Sequence, residues 1–227
     1  MHDLRPGLRK GLPLVLPTLA GGISFGVLAQ PVMGSVAPIV MSLIVFSGAA
    51  QFAALTVLTA GGGLVAAVAA GMLMNGRWLP MGLAVGPYLQ GRPWRRALES
   101  TALVDSSFAL ASRGDGTFDR NILIGSTIPQ YLSWSAGTAV GVFGAATLKA
   151  DPQALGLDAM FPAFFLVLLS AELRSRETIA AAALGGAIAL ALMPFAPPGV
   201  PVVAAAAAAL LGLRHARAKA RLAEATA

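Results

Sequence analysis

Apolar positions dominate this chain, and the polar ones fall in short clusters between and within the apolar runs. The runs cover residues 12–30, 36–60, 63–89, 98–112, 121–148, 158–173, 178–194 and 199–213. A helix that crosses a bilayer needs about 20 such residues. The pattern therefore predicts an all-α, polytopic transmembrane helical bundle of about 7–8 segments, some broken or re-entrant. The connections are short and carry the Gly, Pro and charged residues, which leaves no room for a soluble domain. One membrane domain is expected: a tail over 1–10, a bundle over 11–213 and a basic tail over 214–227. There is also an internal echo. LPTLAGGISFGVLA (Leu16–Ala29) resembles IPQYLSWSAGTAVGVFGA (Ile128–Ala145), and each precedes a proline-containing span, at Pro38 and Pro162. Two structural repeats of this kind are a frequent transporter plan.

Composition agrees with the pattern. The 227 residues are 56% hydrophobic and 11% charged, against roughly 25% charged in a soluble domain. The net charge of +6 comes from basic residues at segment ends: Arg5, Arg9 and Lys10, then Arg92, Arg95 and Arg96, then the Arg214 to Arg221 cluster. Such placement marks membrane topology rather than nucleic-acid binding. It makes the C-terminus cytoplasmic in a plasma-membrane protein. Segment 98–112 conflicts with the simplest scheme, because basic loops flank it on both sides. At about 22 Å as a helix it is also short for a hydrocarbon core of about 30 Å. If it crosses, eight crossings put the N-terminus inside and leave Arg92, Arg95 and Arg96 outside. If it does not, seven put the N-terminus outside. The basic and apolar start could pass for a signal peptide, but the apolar run continues to Gln30, as in an uncleaved first span.

Three polar features interrupt the apolar runs. In VFSGAAQFAAL (Val45–Leu55), Ser47 and Gln51 share a helix face padded with Gly and Ala. The amide either bonds across a close-packed helix pair or lines a pathway, where it can donate and accept at once. Asn75-Gly76-Arg77 lies mid-way along 63–89 with Pro80 beyond it, and Arg77 is the sole charge between Gly11 and Gly91. A helix break there would expose backbone groups of the kind that hold charged substrates in transporters. The other reading is an arginine that reaches to the interface. Asp105 lies mid-way along 98–112, and a helix through that segment would put Thr101, Asp105 and Ser112 on one stripe. Its carboxylate either handles a proton or an ammonium group or pairs with Arg77. Other chemistry is thin. There is no cysteine, and His2 and His215 lie near the two ends. The apolar segments contain no metal-ligand cluster, no Ser–His arrangement and no paired carboxylates. No GxxxxGK[ST] phosphate loop occurs, so ATP-driven transport within this chain is not expected; with no such constellation, no cofactor and no enzymatic activity are expected.

These residues resemble motifs of the AzlC family, the large subunit of two-component bacterial exporters of branched-chain amino acids. The resemblance covers most of the chain. It rests on FSGAAQF (Phe46–Phe52), NGRW (Asn75–Trp78), LVDSSFA (Leu103–Ala109), SWSAGTAVGVFG (Ser133–Gly144) and LGLDAMFPAFFLVLL (Leu155–Leu169), in the family's order. It implies a plasma-membrane exporter of Leu, Ile, Val and often Met, driven by an ion or proton gradient, with a small AzlD-like subunit as partner. Two departures stand out. Ser106 follows Asp105 where many members carry Asp-Glu, and Trp78 follows Arg77 where many carry Arg-His.

A zwitterionic substrate needs a positive field for its carboxylate and acceptors for its ammonium. Arg77 and the half-helix end at Asn75 are the candidates for the first. Asp105, with Gln51 and Ser47, is the candidate for the second, and Asp105 is also the candidate coupling residue. The alternative is a membrane-embedded accessory subunit with no transport cycle of its own, in which the same residues are packing glue.

Overall fold

The computed structural model describes residues 3–113, 115–148, 166, 169–170, 173, 176–196 and 200–205. Helix is the only extended secondary structure among them. The elements are α1 (Arg5–Gly11), a 3-10 turn (Leu12–Leu14), α2 (Val15–Met33), α3 (Ala37–Ile44), α4 (Gly48–Thr59), α5 (Leu64–Asn75) and α6 (Trp78–Val85). After a second 3-10 turn (Gly86–Tyr88) come α7 (Pro93–Ser100), α8 (Asp105–Ala111), α9 (Arg120–Leu148), α10 (Arg176–Leu192) and α11 (Val200–Ala205). Segments 158–173 and 199–213, Pro162 and the basic cluster from Arg214 lie largely or wholly outside the described residues. The chain divides into two compact units, Met1–Gln51 with Met74–Asp158, and Phe52–Leu73 with Ala159–Ala227.

The first unit is organised around α9, which at 1.5 Å per residue is about 43 Å long. Helix α1, the 3-10 turn and α2 form one helical stretch, Arg5–Met33, which is long and apolar enough by itself to cross a membrane. It lies along α9 in parallel: Gly7 approaches Asn121 and Gly125, Gly11 approaches Ser126 and Pro129, Gly22 approaches Trp134, and Gly26 approaches Thr138 and Val142. The register requires glycine on both sides. A methyl group on Gly22 or Gly26 would overlap the carbonyl of Trp134 or Thr138, and one on Gly141 would overlap that of Ile23. Gly22 and Gly26, like Gly137 and Gly141, are four residues apart on one helix face. This small-xxx-small spacing lets apolar helices approach to backbone contact where no hydrophobic driving force exists between them. The two helices of this seam are the two copies of the internal echo.

Segment 36–60, expected as one span, is instead split into two shorter helices, and 63–89 is split at the expected break. The first breaks between α3 and α4, where Phe46 has φ +40°. That left-handed conformation is sparsely populated by non-glycine residues and incompatible with a continuing helix. The second breaks at Gly76-Arg77 between α5 and α6. At its C-terminal end α3 packs beside the middle of α9 through Ser42–Thr138 and Tyr131–Leu43. Helix α6 carries Val85 into an apolar cluster with Leu103, Ala111 and Leu123 near the start of α9.

Segment 98–112 is not one helix either. Thr101 lies before a break and Asp105 is the first residue of α8, so Thr101, Asp105 and Ser112 do not form one stripe. The segment doubles back. Its base is tied to the start of α9 by the Glu99–Arg120 ion pair and by Asp119 N–H donating to the Ala111 carbonyl at 2.8 Å. Its tip reaches Gln130, to which Ser106 Oγ donates at 2.6 Å, about 15 Å along α9 from Arg120. It enters and leaves at the same end of α9. Consequently Arg5, Arg9 and Lys10 of α1, Arg95 (3.3 Å from Glu99), Arg113 (2.8 Å from Asp119) and Arg120 all gather at that end. Of the two alternatives for 98–112, a crossing segment or one that turns back, the structure has the second.

Candidate functional site

The breaks between α3 and α4, α5 and α6, and α7 and α8 bring the singled-out polar residues to the middle of the first unit. At the first break Ser47 precedes α4. Its hydroxyl accepts the Ala50 N–H at 3.4 Å and donates to Asn75 Oδ1 at 2.6 Å. This bond ties the start of α4 to the end of α5, so Ser47 and Asn75 meet although 28 positions separate them.

Gln51 lies one turn further on and is fully buried. The indole N–H of Trp134 donates to Gln51 Oε1 at 2.9 Å, and Gln51 Nε2 donates to Ser42 Oγ at 2.8 Å. Ser42 and Thr138 hydroxyls are 2.9 Å apart, and Thr138 donates to the Trp134 carbonyl at 3.0 Å. Because the single Thr138 proton is committed to that carbonyl, Ser42 is the donor to Thr138. The bonds run Trp134, Gln51, Ser42, Thr138 and back to Trp134. An indole N–H can only donate, which fixes which way the Gln51 amide points. Both ends of that amide are therefore occupied within the protein, joining α3, α4 and α9. Ser42, Trp134, Thr138 and Gln130 were not singled out from the sequence. A signal was present, since Gln130, Trp134 and Thr138 recur every fourth residue on one face of α9.

Arg77 and Asp105 form a two-pronged ion pair, with Nε donating to Oδ1 at 3.0 Å and Nη2 to Oδ2 at 2.7 Å. The fork matches guanidinium to carboxylate in the geometry that makes such pairs strong. Neither side chain is deeply buried in its unit; they are 31% and 55% exposed. Asp105 opens α8, where its charge is favoured by the helix N-terminus. Next to it, Ser107 accepts the Val104 N–H at 3.0 Å and donates to the Ala102 carbonyl at 2.7 Å, while Thr127 donates to the same carbonyl. These bonds satisfy the backbone freed by the break and pin the tip of the hairpin to α9.

A cavity of about 650 Å³ lies among residues that neighbour these in sequence. Its walls come from Leu43–Phe46, Trp78, Leu98–Leu103 and the Ile124–Leu132 face of α9. Phe46 meets Tyr131 edge-on at 5.1 Å. The indole N–H of Trp78 is buried without a hydrogen-bond partner. Among the described residues no three His, Cys, Asp or Glu side chains come together as a metal site would require.

Outside this region the loop before α9 is held by Asp119, which accepts the Asn121 and Ile122 N–H groups at 3.0 and 3.1 Å as an N-cap. The Arg113 guanidinium bonded to it holds its carboxyl below the usual carboxylate range, helped by those two amides and opposed by burial.

Comparison with known proteins places the chain. No solved structure matches it. It is 31% identical to an uncharacterized membrane protein of Archaeoglobus fulgidus, over 92% of this chain and 95% of that one. It is 27% identical to an uncharacterized membrane protein of Helicobacter pylori, over 84% and 86%. A more distant relative, 24% identical over 70% of this chain and 65% of its own length, is the branched-chain amino acid transport protein AzlC of Bacillus subtilis. The AzlC protein family matches residues 13–148, a range that contains α2 through α9 and every polar residue of the site. The chain is a member of the AzlC family of membrane proteins, with a role in transport.

Proposed function

We propose that this chain is the large subunit of an ion- or proton-coupled secondary exporter that moves the branched-chain amino acids Leu, Ile and Val, and also Met, out through the plasma membrane, and that it is not an enzyme. The observation that carries this reading is the Arg77–Asp105 fork. It joins the tip of a doubled-back hairpin, about 15 Å deep along α9, to a second helix break, and its charges are only partly covered within the unit. An ion pair at such depth in a bilayer is costly unless it faces a polar path or a partner. The pair also has the chemistry of the cargo. A zwitterion entering between the two side chains gives its carboxylate to Arg77 and its ammonium to Asp105, so each charge exchanges one opposite partner for another. When the substrate leaves, the fork closes again. Protonation of Asp105 would release Arg77 in the same way, which makes Asp105 the proposed coupling residue. Ser47 and Asn75 hold the neighbouring helix ends. Gln51 belongs to the framework behind the site in this state.

Charge distribution supports an orientation. The basic end of the first unit is proposed to be cytoplasmic, with the N-terminus and the 98–112 hairpin on that side and α2 and α9 crossing outward. The Arg214 to Arg221 cluster supports a cytoplasmic C-terminus as well. A small AzlD-like membrane subunit is the proposed partner.

The test is efflux of labelled Leu, Val, Ile and Met from cells fed matching dipeptides, with and without the gene and the partner. Export that requires the gene and falls at least ~10-fold in Arg77→Gln and Asp105→Asn, each tenfold being about 1.4 kcal/mol, supports the proposal. Equal efflux from all strains would rule it out.

A further inference from the structure

The 650 Å³ cavity is lined by residues that sit next to the polar residues at each break. Phe46 precedes Ser47, Trp78 follows Arg77, and Leu103 lies two residues before Asp105. At every break the chain thus turns one residue to the polar cluster and a near neighbour to the apolar hollow. The wall opposite is Ile128, Tyr131 and Leu132 of α9.

Resting on the functional reading above, we propose that this cavity receives the side chain of the amino acid whose charged groups replace the Arg77–Asp105 contacts, and that Ile128 and Phe46 set its size limit. The chemistry is that of an amino acid with an uncharged, aliphatic or thioether side chain. Charge complementarity selects this occupant: Arg77 precedes Trp78 and Asp105 lies two residues beyond Leu103 of a mainly apolar lining, so a zwitterion-sized pair of opposite charges adjoins that wall along the chain, as a ligand with one polar head and one apolar tail requires. Glu99 reaches the cavity, but its carboxylate is taken by Arg120 and Arg95, so it does not offer a charge to a polar side chain.

Two features make the walls specific. Phe46 is held at φ +40°, a conformation that costs energy and persists where the surroundings impose it. Its ring is braced by Tyr131, whose hydroxyl donates to the Leu43 carbonyl at 2.9 Å. This fixes one wall as a rigid aromatic face. In addition, the buried Trp78 N–H has no acceptor, although buried donors are nearly always paired. A carboxylate arriving at the adjacent Arg77 brings one to its neighbourhood.

The experiment compares efflux of labelled Ala, Val, Leu and Phe by the full-length chain, co-expressed with its small partner, in Ile128→Trp and Ile128→Ala. Filling the cavity should lower Leu and Phe export relative to Ala by about 10-fold, and enlarging it should raise Phe relative to Val by a similar factor. Arg77→Gln should depress all four alike. If Ile128→Trp fails to accumulate, the Ile128→Ala arm decides. Variants that export with the wild-type ranking of side chains would overturn the cavity assignment and leave the exporter reading standing. No export of any amino acid by the wild type would overturn both.

Discussion

Two polar constructions lie close together in the first unit and behave in opposite ways. Around Gln51 the bonds close on themselves: each named donor finds an acceptor inside the protein, and Ser42, Gln51 and Thr138 are all fully buried. Around Arg77 and Asp105 the bond is strong but open, with 31% and 55% of the side chains uncovered in their unit. The first arrangement holds the Gln51 amide by both its ends, and opening it would orphan several buried groups, each costing about 1–3 kcal/mol. The second loses little if a ligand supplies equivalent charges. Polarity at membrane depth is therefore a poor guide to function by itself. We propose that what separates framework from site is whether opening the group's bonds would leave buried partners unpaired.

The sharpest way to break this comparison is to exchange the charges. In the double variant Arg77→Asp with Asp105→Arg the pair can reform with reversed polarity, now with a cation at the start of α8. A purely structural pair would be rescued. We expect accumulation near wild type but export still reduced about 100-fold, roughly 2.7 kcal/mol at 1.36 per decade, as read by leucine efflux and by the thermal midpoint of purified protein. Recovery of both would reduce the fork to packing. Gln51→Leu should show the opposite profile. Loss of the amide strands the Trp134 N–H and Ser42, so a stability loss of about 1–3 kcal/mol per orphaned group is expected. Specific activity of the folded fraction should stay within a few-fold of wild type. A stable Gln51→Leu protein that cannot export would move Gln51 into the site.

A smaller effect is expected at the loop before α9, where Asp119 is both cap and ion-pair partner. Its carboxyl pKa is depressed in the folded chain, so the stability it contributes is complete above the ordinary carboxylate range and is lost as pH falls through the lowered folded value. Hydrogen exchange at the Asn121 and Ile122 amides should rise only at such acid pH in the wild type and show no such transition in Asp119→Asn. A transition at the same pH in both would assign it to another group. Least perturbing is a set of single cysteines, since the chain has none of its own. Asp3→Cys, Arg92→Cys and Asp115→Cys should label from the same side of the membrane, and Val36→Cys from the other. Labelling of Arg92→Cys and Asp115→Cys from opposite sides would contradict the doubled-back hairpin.

Much of this was legible in the chain, for physical reasons that can be named. The broken helix at Asn75-Gly76-Arg77 was visible because a charge and a glycine cannot both sit comfortably inside a spanning helix. The break at Phe46 was not, because nothing in Val45-Phe46-Ser47 forbids helix; a bulky residue is held at positive φ only by what surrounds it. The relation of Arg77 to Asp105 was one of two options for two isolated opposite charges. The partners of Gln51 were hidden because Ser42, Trp134 and Thr138 are ordinary residues until helices from distant parts of the chain meet.

The sequence by itself determined that the chain is apolar and helical, that its basic residues cluster at segment ends, and that a handful of polar side chains sit at depth. These follow from composition and period, which are local properties. Only the tertiary structure decided that 98–112 turns back, that the echoed helices α2 and α9 run side by side in parallel, and that Gln51 is closed while the Arg77–Asp105 fork is open. Those are outcomes of contact between segments as much as 96 residues apart. They rest on backbone approach at glycine and on the pairing of buried polar groups across helices, neither of which a linear pattern records.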